Sequence, residues 1–143
     1  MEQEKILDMA VCAGAILLRF GAETYRVEET ISRICKSYGL NCEAFALPTG
    51  VFVSVEGAQG ISTICRRIPS RTVDLTKIAR LNDLSRRIEK DTPECDDVMA
   101  ELDHISSCGK YSGLTVILCY AFTAFVYSLL FGGSGNEALS SMA

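Results

Sequence analysis

A long uncharged stretch near the C-terminal end limits the folds open to this chain. Residues 111–135 contain no charged side chain, and within them Leu114 to Phe131 reads LTVILCYAFTAFVYSLLF. A run of about 18 or more apolar residues is long enough to cross the roughly 30 Å hydrocarbon core of a bilayer as a helix. The pattern therefore predicts one transmembrane helix with its exit loop over residues 111–135. Residues 136–143 look like the start of a second membrane helix, so we expect the chain to be truncated.

The charged residues lie almost entirely before this stretch. All 14 Lys and Arg, and 17 of the 18 Asp and Glu, occur at or before Lys110. Residues 1–110 are therefore predicted to form a water-soluble domain with a small net negative charge. Because Lys and Arg resist translocation, we expect that domain to be cytoplasmic and the protein to reside in the cell membrane.

The basic residues of the soluble section raise the question of a charged partner. Arg66, Arg67, Arg71, Arg80, Arg86 and Arg87 lie in one part of the sequence. A net negative domain with few aromatic residues there argues against nucleic acid. A solvated basic face is the default interpretation. Membrane lipid is the anionic partner that these arginines could contact, because the domain is tethered to a bilayer.

The seven cysteines are scattered, odd in number and form no CxxC pair, and the chain has a single histidine. This composition predicts neither a zinc site nor a disulfide framework. We expect reduced cytosolic thiols that act as small apolar side chains, with no metal and no cofactor.

The soluble section is predicted to be an α+β domain of order ααβββαα. Apolar spacings of three and four residues indicate helices over 2–20, 25–38, 75–89 and 93–107. Segments rich in β-branched residues indicate strands over 42–47, 51–56 and 61–68. Short turns separate the strands, which favours a small antiparallel sheet. Gly39 is predicted to cap the second helix, Asp74 to begin the third, and Thr92-Pro93 to begin the fourth.

One polar cluster is the best candidate for a binding site. The segment from Gly21 reads GAETYRVEE and concentrates Glu23, Arg26 and Glu28 between two helices. A helix N-terminus with such groups could bind the carboxylate or amino group of a small ligand. Acids in a first helical turn, with the arginine paired to one of them, would explain the same residues structurally. Thr49, in Pro48-Thr49-Gly50, either belongs to a simple hairpin turn or presents its hydroxyl to a cleft.

The sequence does not favour catalysis. His104 follows Asp103 on a predicted helix and reads as a surface side chain rather than a base. Thr49 has no general base nearby in the sequence, and no nucleophile–base pair is convincing. We therefore predict no catalytic residue.

The ordered motifs resemble the N-terminal part of the threonine/serine exporter family. They are GAETYRVEETISRICKSYG, LPTGVFVSV, RRIPSRTVDLTKIARLNDL, a helix started by Thr-Pro, and an apolar span ending in LLFGGS. The resemblance covers nearly the whole chain. It implies a cytoplasmic N-terminal domain, several membrane helices, and a companion membrane unit that is either fused or separate.

The resemblance also implies a function: export of threonine, serine and related small amino acids, driven by an ion gradient rather than by ATP. This chain would be the N-terminal part of such a secondary-active exporter. Two alternatives stay open: a membrane-anchored regulatory or ligand-binding domain, and a small membrane-anchored hydrolase.

Overall fold

The computed structural model describes residues 2–57, 60–109 and 112–142. Within them the elements are α1 (Glu2–Arg19), α2 (Thr24–Ser37), β1 (Cys42–Leu47), β2 (Gly50–Gly57), β3 (Gly60–Arg67), α3 (Leu75–Asp91), α4 (Cys95–Ser107), α5 (Gly113–Leu130) and α6 (Gly135–Ser140). The α+β class and the small antiparallel sheet predicted from the sequence are confirmed. The chain forms two compact units, Met1–Ser107 and Cys108–Ala143.

Helix α1 is the centre of the first unit. It packs against α2, α3, α4 and two of the strands, and its side chains from Met9 to Leu18 are nearly all buried. Small residues let the neighbours approach closely. A Cβ added to Gly14 would lie 2.5 Å from Cδ1 of Ile31 on α2, well inside van der Waals contact. The thin middle of α1 therefore sets the spacing between the two helices.

Helix α2 buries one apolar stripe, formed by Val27, Ile31 and Ile34. It ends in a Schellman motif, as the predicted cap at Gly39 requires. The Leu40 N–H donates to the Cys35 carbonyl at 2.9 Å, and the Gly39 N–H donates to the Lys36 carbonyl at 3.0 Å. Gly39 has φ +74°, which an L side chain adopts only with strain.

The three strands form an antiparallel sheet in the order β1-β2-β3. The inner face of β2 contributes Val51, Val53 and Val55 to the core. On the outer face, Phe45 lies opposite Phe52, and both are exposed. Only the inner face therefore contributes to the packing of the unit.

The two helices that follow the sheet begin differently from each other. The Asp74 carboxylate accepts hydrogen bonds from the Thr76 and Lys77 N–H groups at 3.1 and 3.2 Å, which confirms the predicted start of α3. The predicted start at Thr92-Pro93 is wrong. Thr92 instead ends α3, with φ +41° and its N–H bonded to the Ile88 carbonyl, and α4 begins at Cys95. Helix α3 runs on to Asp91 and takes Thr92 as its C-terminal cap.

The second unit consists of α5 and the short helix α6. Helix α5 has 18 residues and a mean hydropathy of 1.9, and it is the one described helix with the length and composition of a membrane span. None of its residues is buried. Gly132, with φ +86°, turns the chain after α5, and the Ser134 N–H donates to the Glu137 carboxylate at 2.8 Å at the start of α6.

Candidate functional site

The predicted polar cluster begins with an exposed group at the N-terminus of α2. Glu23 occupies the cap position without a side-chain capping bond, and Tyr25 and Arg26 are exposed beside it. A hydrogen bond to the Glu23 carboxylate raises the pKa of Tyr25 above its ordinary value, and Arg26 lowers it in part. The structure thus brings Glu23 and Arg26 close to the Tyr25 phenol.

The structural explanation proposed for these charges needs correction. The first turn of α2 contains no acid, since Glu28 and Glu29 lie one turn further along. Glu29 pairs with Arg33 at 2.6 Å rather than with Arg26. Of these acids, Glu23 at the cap position is therefore the one near the positive end of the helix, whereas Glu28 and Glu29 bond to groups further along.

Glu28 has a definite partner on the sheet. Its carboxylate accepts a hydrogen bond from the Ala46 N–H at 2.8 Å. Ala46 lies on β1, which is an edge strand, and is buried. An unpaired N–H at such an edge is costly to bury, so the carboxylate supplies the partner that a fourth strand would otherwise provide.

Thr49 lies in a tight hairpin turn. Leu47 pairs with Gly50 across the ladder, which leaves Pro48 and Thr49 as a two-residue connection. The Thr49 side chain is exposed, and its carbonyl accepts from the Ile68 N–H at 2.8 Å. Within the described residues, no hydrogen bond or ion pair joins Thr49 or Glu28 to the Glu23–Arg26 group. A binding role for these four residues stays a prediction.

A different part of the first unit brings together more charged side chains around one cleft than the predicted cluster does. Lys5 on α1 pairs with Asp96 on α4 at 3.2 Å, and Arg19 and Ser106 near the ends of the same helices line one cleft, so the two helices run parallel. Their C-terminal ends meet the end of β3 and enclose a cleft of about 340 Å³. We call it the arginine cleft. Its polar lining includes Cys12, Arg19, Arg66, Arg67, Asp103 and Ser106.

The arginine cleft carries opposite charges on its two sides. Arg19, Arg66 and Arg67 come from α1 and β3, whereas Asp103 comes from the last turns of α4. In the described part of the chain, none of the three arginines takes part in an ion pair. Burial raises the pKa of the Cys12 thiol, Arg66 lowers it and Asp103 raises it further. The charges of Arg66 and Asp103 therefore both act on the Cys12 thiol, which stays neutral because its pKa is raised overall.

Two further cations fix the walls of the cleft without facing the opening. Arg71 donates to the Leu18 and Ala22 carbonyls at 3.1 and 3.2 Å, which satisfies the end of α1. Lys77 donates to the Ser106 carbonyl at 2.6 Å at the end of α4. Cations at helix C-termini are favourable because the last carbonyls carry partial negative charge. These bonds hold both helix ends in place.

The basic sequence stretch therefore divides into two groups. Arg66 and Arg67 line the cleft, whereas Arg87 bonds to Glu101 and lies 3.5 Å from Asp83. Sequence reasoning noticed the stretch but missed the cleft, because Arg19 lies far away in sequence. The signal that could have found it is the ladder register, which places Arg66 opposite the buried Val51 and hence on the inner face.

The remaining reactive side chains suggest no second site. His104 is exposed on α4. None of the seven cysteines forms a disulfide bond in the structure. Among the described residues, no three His, Cys, Asp or Glu side chains lie together in a way that could hold a metal ion.

Comparison with known proteins gives one result. The model of a family described as "Putative threonine/serine exporter" (ThrE) matches residues 8–143, which include most of α1 and every element from α2 to α6. Searches of curated proteins and of solved structures found no match. The match covers both the unit that holds the arginine cleft and the unit that holds α5.

Proposed function

Since this chain belongs to the threonine/serine exporter family, we propose that it is the N-terminal part of a secondary-active exporter of threonine, serine and related small amino acids. The observation that carries the proposal is the family match over residues 8–143, which extends across both units. The apolar helix α5 supports a membrane location. The family is one of transporters, which fits a chain without an enzymatic role.

The two compact units, each taken by itself, support the proposed arrangement. Residues 1–110 form a cytoplasmic domain, residues 111–135 form the first membrane helix and its exit loop, and residues 136–143 begin the second. A single helix cannot enclose a pathway for a polar substrate. Further membrane helices and a companion membrane subunit therefore supply the transport route, and an ion gradient supplies the driving force.

Helix α5 is suited to pack against such partners. The Thr123 hydroxyl donates to the Cys119 carbonyl of its own helix at 2.8 Å, so that polar group needs no water inside a bilayer. Tyr127 and Phe131 stack with their ring centres 6.3 Å apart. Most of the other side chains are apolar, as a lipid or helix–helix environment requires, and Thr115, Tyr120 and Ser128 add three further hydroxyl groups.

An efflux experiment tests the proposal. Cells carrying the complete exporter gene and its partner are loaded with a threonine-containing dipeptide, and external threonine and serine are followed over time. Faster efflux than in cells lacking the system, abolished by an uncoupler, is the expected result. Equal efflux of both amino acids with and without the complete system would contradict it.

A second function is favoured by one observation, the arginine cleft. The soluble unit has opposite charges around a cleft of about 340 Å³, within the range of about 300–1,000 Å³ usual for small-molecule sites. This observation supports a regulatory or ligand-binding role for residues 1–107. Such a role is compatible with export, because a cytoplasmic domain can control the helices to which it is attached.

A further inference from the structure

We propose that the arginine cleft binds a small α-amino acid in its zwitterionic form, with the carboxylate against Arg19 and Arg66 and the ammonium group against Asp103. The identity of the amino acid as threonine or serine rests on the proposed export function. The charge pattern of the ligand rests on the cleft alone. The site would make the soluble unit a sensor of the cytoplasmic amino-acid pool.

The arginine side of the cleft provides the carboxylate site. Guanidinium groups bind carboxylates through two parallel hydrogen bonds, and such charge-assisted bonds are stronger than neutral ones. Arg19 and Arg66 take part in no ion pair within the described residues, unlike Arg33, which pairs with Glu29 and Glu89. Arg67 adds a third positive charge. The attraction of these groups for an anion is therefore not already satisfied by a protein carboxylate.

The α4 side of the cleft provides the ammonium site. Asp103 lies in the last turns of α4, where the carbonyl ends of the helix also carry partial negative charge. Lys77 already donates to the Ser106 carbonyl, and Asp103 is the carboxylate in the lining of the cleft. A ligand with only a negative charge would meet repulsion on this side. A zwitterion matches both sides.

The floor of the cleft suits a small side chain. Ala15, Ile16 and Ile68 are buried beneath the charged rim. The Cys12 thiol also lines the cleft and is neutral, because burial raises its pKa. A short aliphatic or hydroxyl-bearing side chain can rest on such a floor, with the Ser106 side chain near the end of α4 as a polar neighbour.

Calorimetric titration of the full purified chain in detergent micelles tests the proposal. Four probes separate the chemical groups: L-threonine, L-threoninamide without the carboxylate, 3-hydroxybutyrate without the amino group, and inorganic phosphate. We expect saturable binding of L-threonine and at least about tenfold weaker binding of the other three, since each loses a charge-assisted contact. Absence of saturable L-threonine binding, or tighter binding of phosphate than of threonine, would overturn the proposal.

Substitutions locate the binding in the cleft. Arg66→Gln and Asp103→Asn should each weaken threonine binding by about tenfold or more, because each removes a charged partner. Arg80→Gln and Asp97→Asn remove the same charges at exposed positions of α3 and α4 outside the cleft and should leave the affinity unchanged. Equal affinities in all four variants would place the site elsewhere and overturn the proposal.

The binding result stands apart from the export result. Titration needs neither the companion subunit nor an ion gradient. If the chain binds threonine while the complete system shows no efflux, the binding proposal stands and the export proposal is contradicted. If the complete system shows efflux while the chain does not bind threonine, the export proposal stands and the binding proposal is contradicted. All four variants change exposed side chains, and their thermal unfolding should match that of the unaltered chain.

Discussion

Helices α1 and α5 have the same length of 18 residues and opposite surroundings. Helix α1 is buried by neighbours on nearly every side of its apolar section, whereas no residue of α5 is buried. A helix that is apolar on all sides needs either a protein core or a lipid bilayer around it. In the first unit, α2, α4 and the sheet provide that core. Helix α5 lacks such cover within its own unit.

The difference is visible in the residues themselves. Helix α1 carries Glu4, Lys5 and Asp8 in its first half, and it uses Ala and Gly where neighbours come close. Helix α5 carries no charge, and it places large side chains such as Phe122 and Leu118 on its exposed surface. Apolar length alone does not distinguish the two environments. Charged residues at one end and small residues in the middle indicate a helix that packs inside a protein core.

The largest effect is expected for Ala13→Arg in the middle of α1. Ala13 is completely buried, so the substitution places an unpaired charge in the core and should cost about 4 kcal/mol or more. Circular dichroism and thermal melts should show loss of the cooperative transition of the first unit. Asp8→Arg, at an exposed position of the same helix, is the control and should change stability by less than about 0.5 kcal/mol. A stable Ala13→Arg variant would mean that α1 is not the core helix.

The matching change in α5 is Ala121→Arg. A charge at the centre of a membrane helix costs about 2.5–3.5 kcal/mol on insertion scales. We expect a smaller fraction of the chain to resist extraction of membranes with alkaline carbonate, with the melting transition of the first unit unaltered. Ala121→Leu should remain fully resistant. Equal resistance of the Arg and Leu variants would show that α5 does not lie in lipid.

The edge contact of Glu28 provides a third test, confined to the first unit. Glu28→Ala leaves the buried Ala46 N–H without its partner and should destabilise the unit by about 1–3 kcal/mol. Glu28→Gln keeps an acceptor and should recover part of that loss. Chemical denaturation measures both. The control is Glu29→Ala, which removes only an exposed pair with Arg33 and should cost less than about 1 kcal/mol. If Glu28→Ala costs no more than this control, the carboxylate does not stabilise the edge.

Thiol chemistry separates the two units in a fourth test. A hydrogen bond from Cys35, partly opposed by burial, lowers the pKa of Cys42 to about 7, and the pKa of Cys35 is raised. Because the thiolate is the reactive form, alkylation of Cys42 should rise with pH and reach half its maximum rate near pH 7. Cys35→Ala removes the hydrogen bond and should move that midpoint upward. An unmoved midpoint would contradict the assigned cause.

Cys119 on α5 is the comparison for that experiment. Its side chain is exposed within the protein, but a surrounding bilayer would shield it from a charged, membrane-impermeant reagent. In inverted membrane vesicles, where a cytoplasmic domain faces the reagent, we expect labelling of Cys42 and protection of Cys119, with Cys119 labelled after denaturation. Labelling of Cys119 equal to that of Cys42 in these vesicles would contradict a lipid environment for α5.

The smallest effect is expected at the junction of α3 and α4. Thr92 has φ +41°, and a β-branched residue in the left-handed region costs about 1–2 kcal/mol. Thr92→Gly removes that strain but increases the conformational entropy of the unfolded chain. The free energy of unfolding should therefore rise by about 0.5 kcal/mol. A small rise in Tm would confirm it. Thr92→Ala keeps a Cβ and should give no comparable rise.

The sequence predicted the parts of the fold that depend on local chemistry. The uncharged run predicted α5, Gly39 predicted the end of α2, and Asp74 predicted the start of α3, because each depends on residues within one or two turns. The prediction that Thr92-Pro93 begins α4 was wrong because two local interpretations compete there. A hydroxyl before proline is typical of a helix start, but the preceding helix extended far enough to use Thr92 as its own end.

The sites depend on contacts between distant segments, and here the sequence was a weaker guide. The role of Glu28 follows only from the packing of α2 against the edge strand β1. The arginine cleft requires α1 and α4 to run parallel and Arg66 to lie on the inner face of the sheet. Neither condition appears as a motif. The polar residues near Glu23 attracted attention because they are close in sequence, whereas the residues that share a cleft are not.

Membrane topology tests the account most directly. An N-terminal tag on the full chain is exposed to protease in inverted membrane vesicles and in right-side-out spheroplasts, and the membranes are then extracted with alkaline carbonate. The account predicts that the chain stays in the membrane and that the tag is digested only in inverted vesicles. A chain released by carbonate, or a tag digested in spheroplasts, would contradict a cytoplasmic domain attached to a membrane-spanning α5.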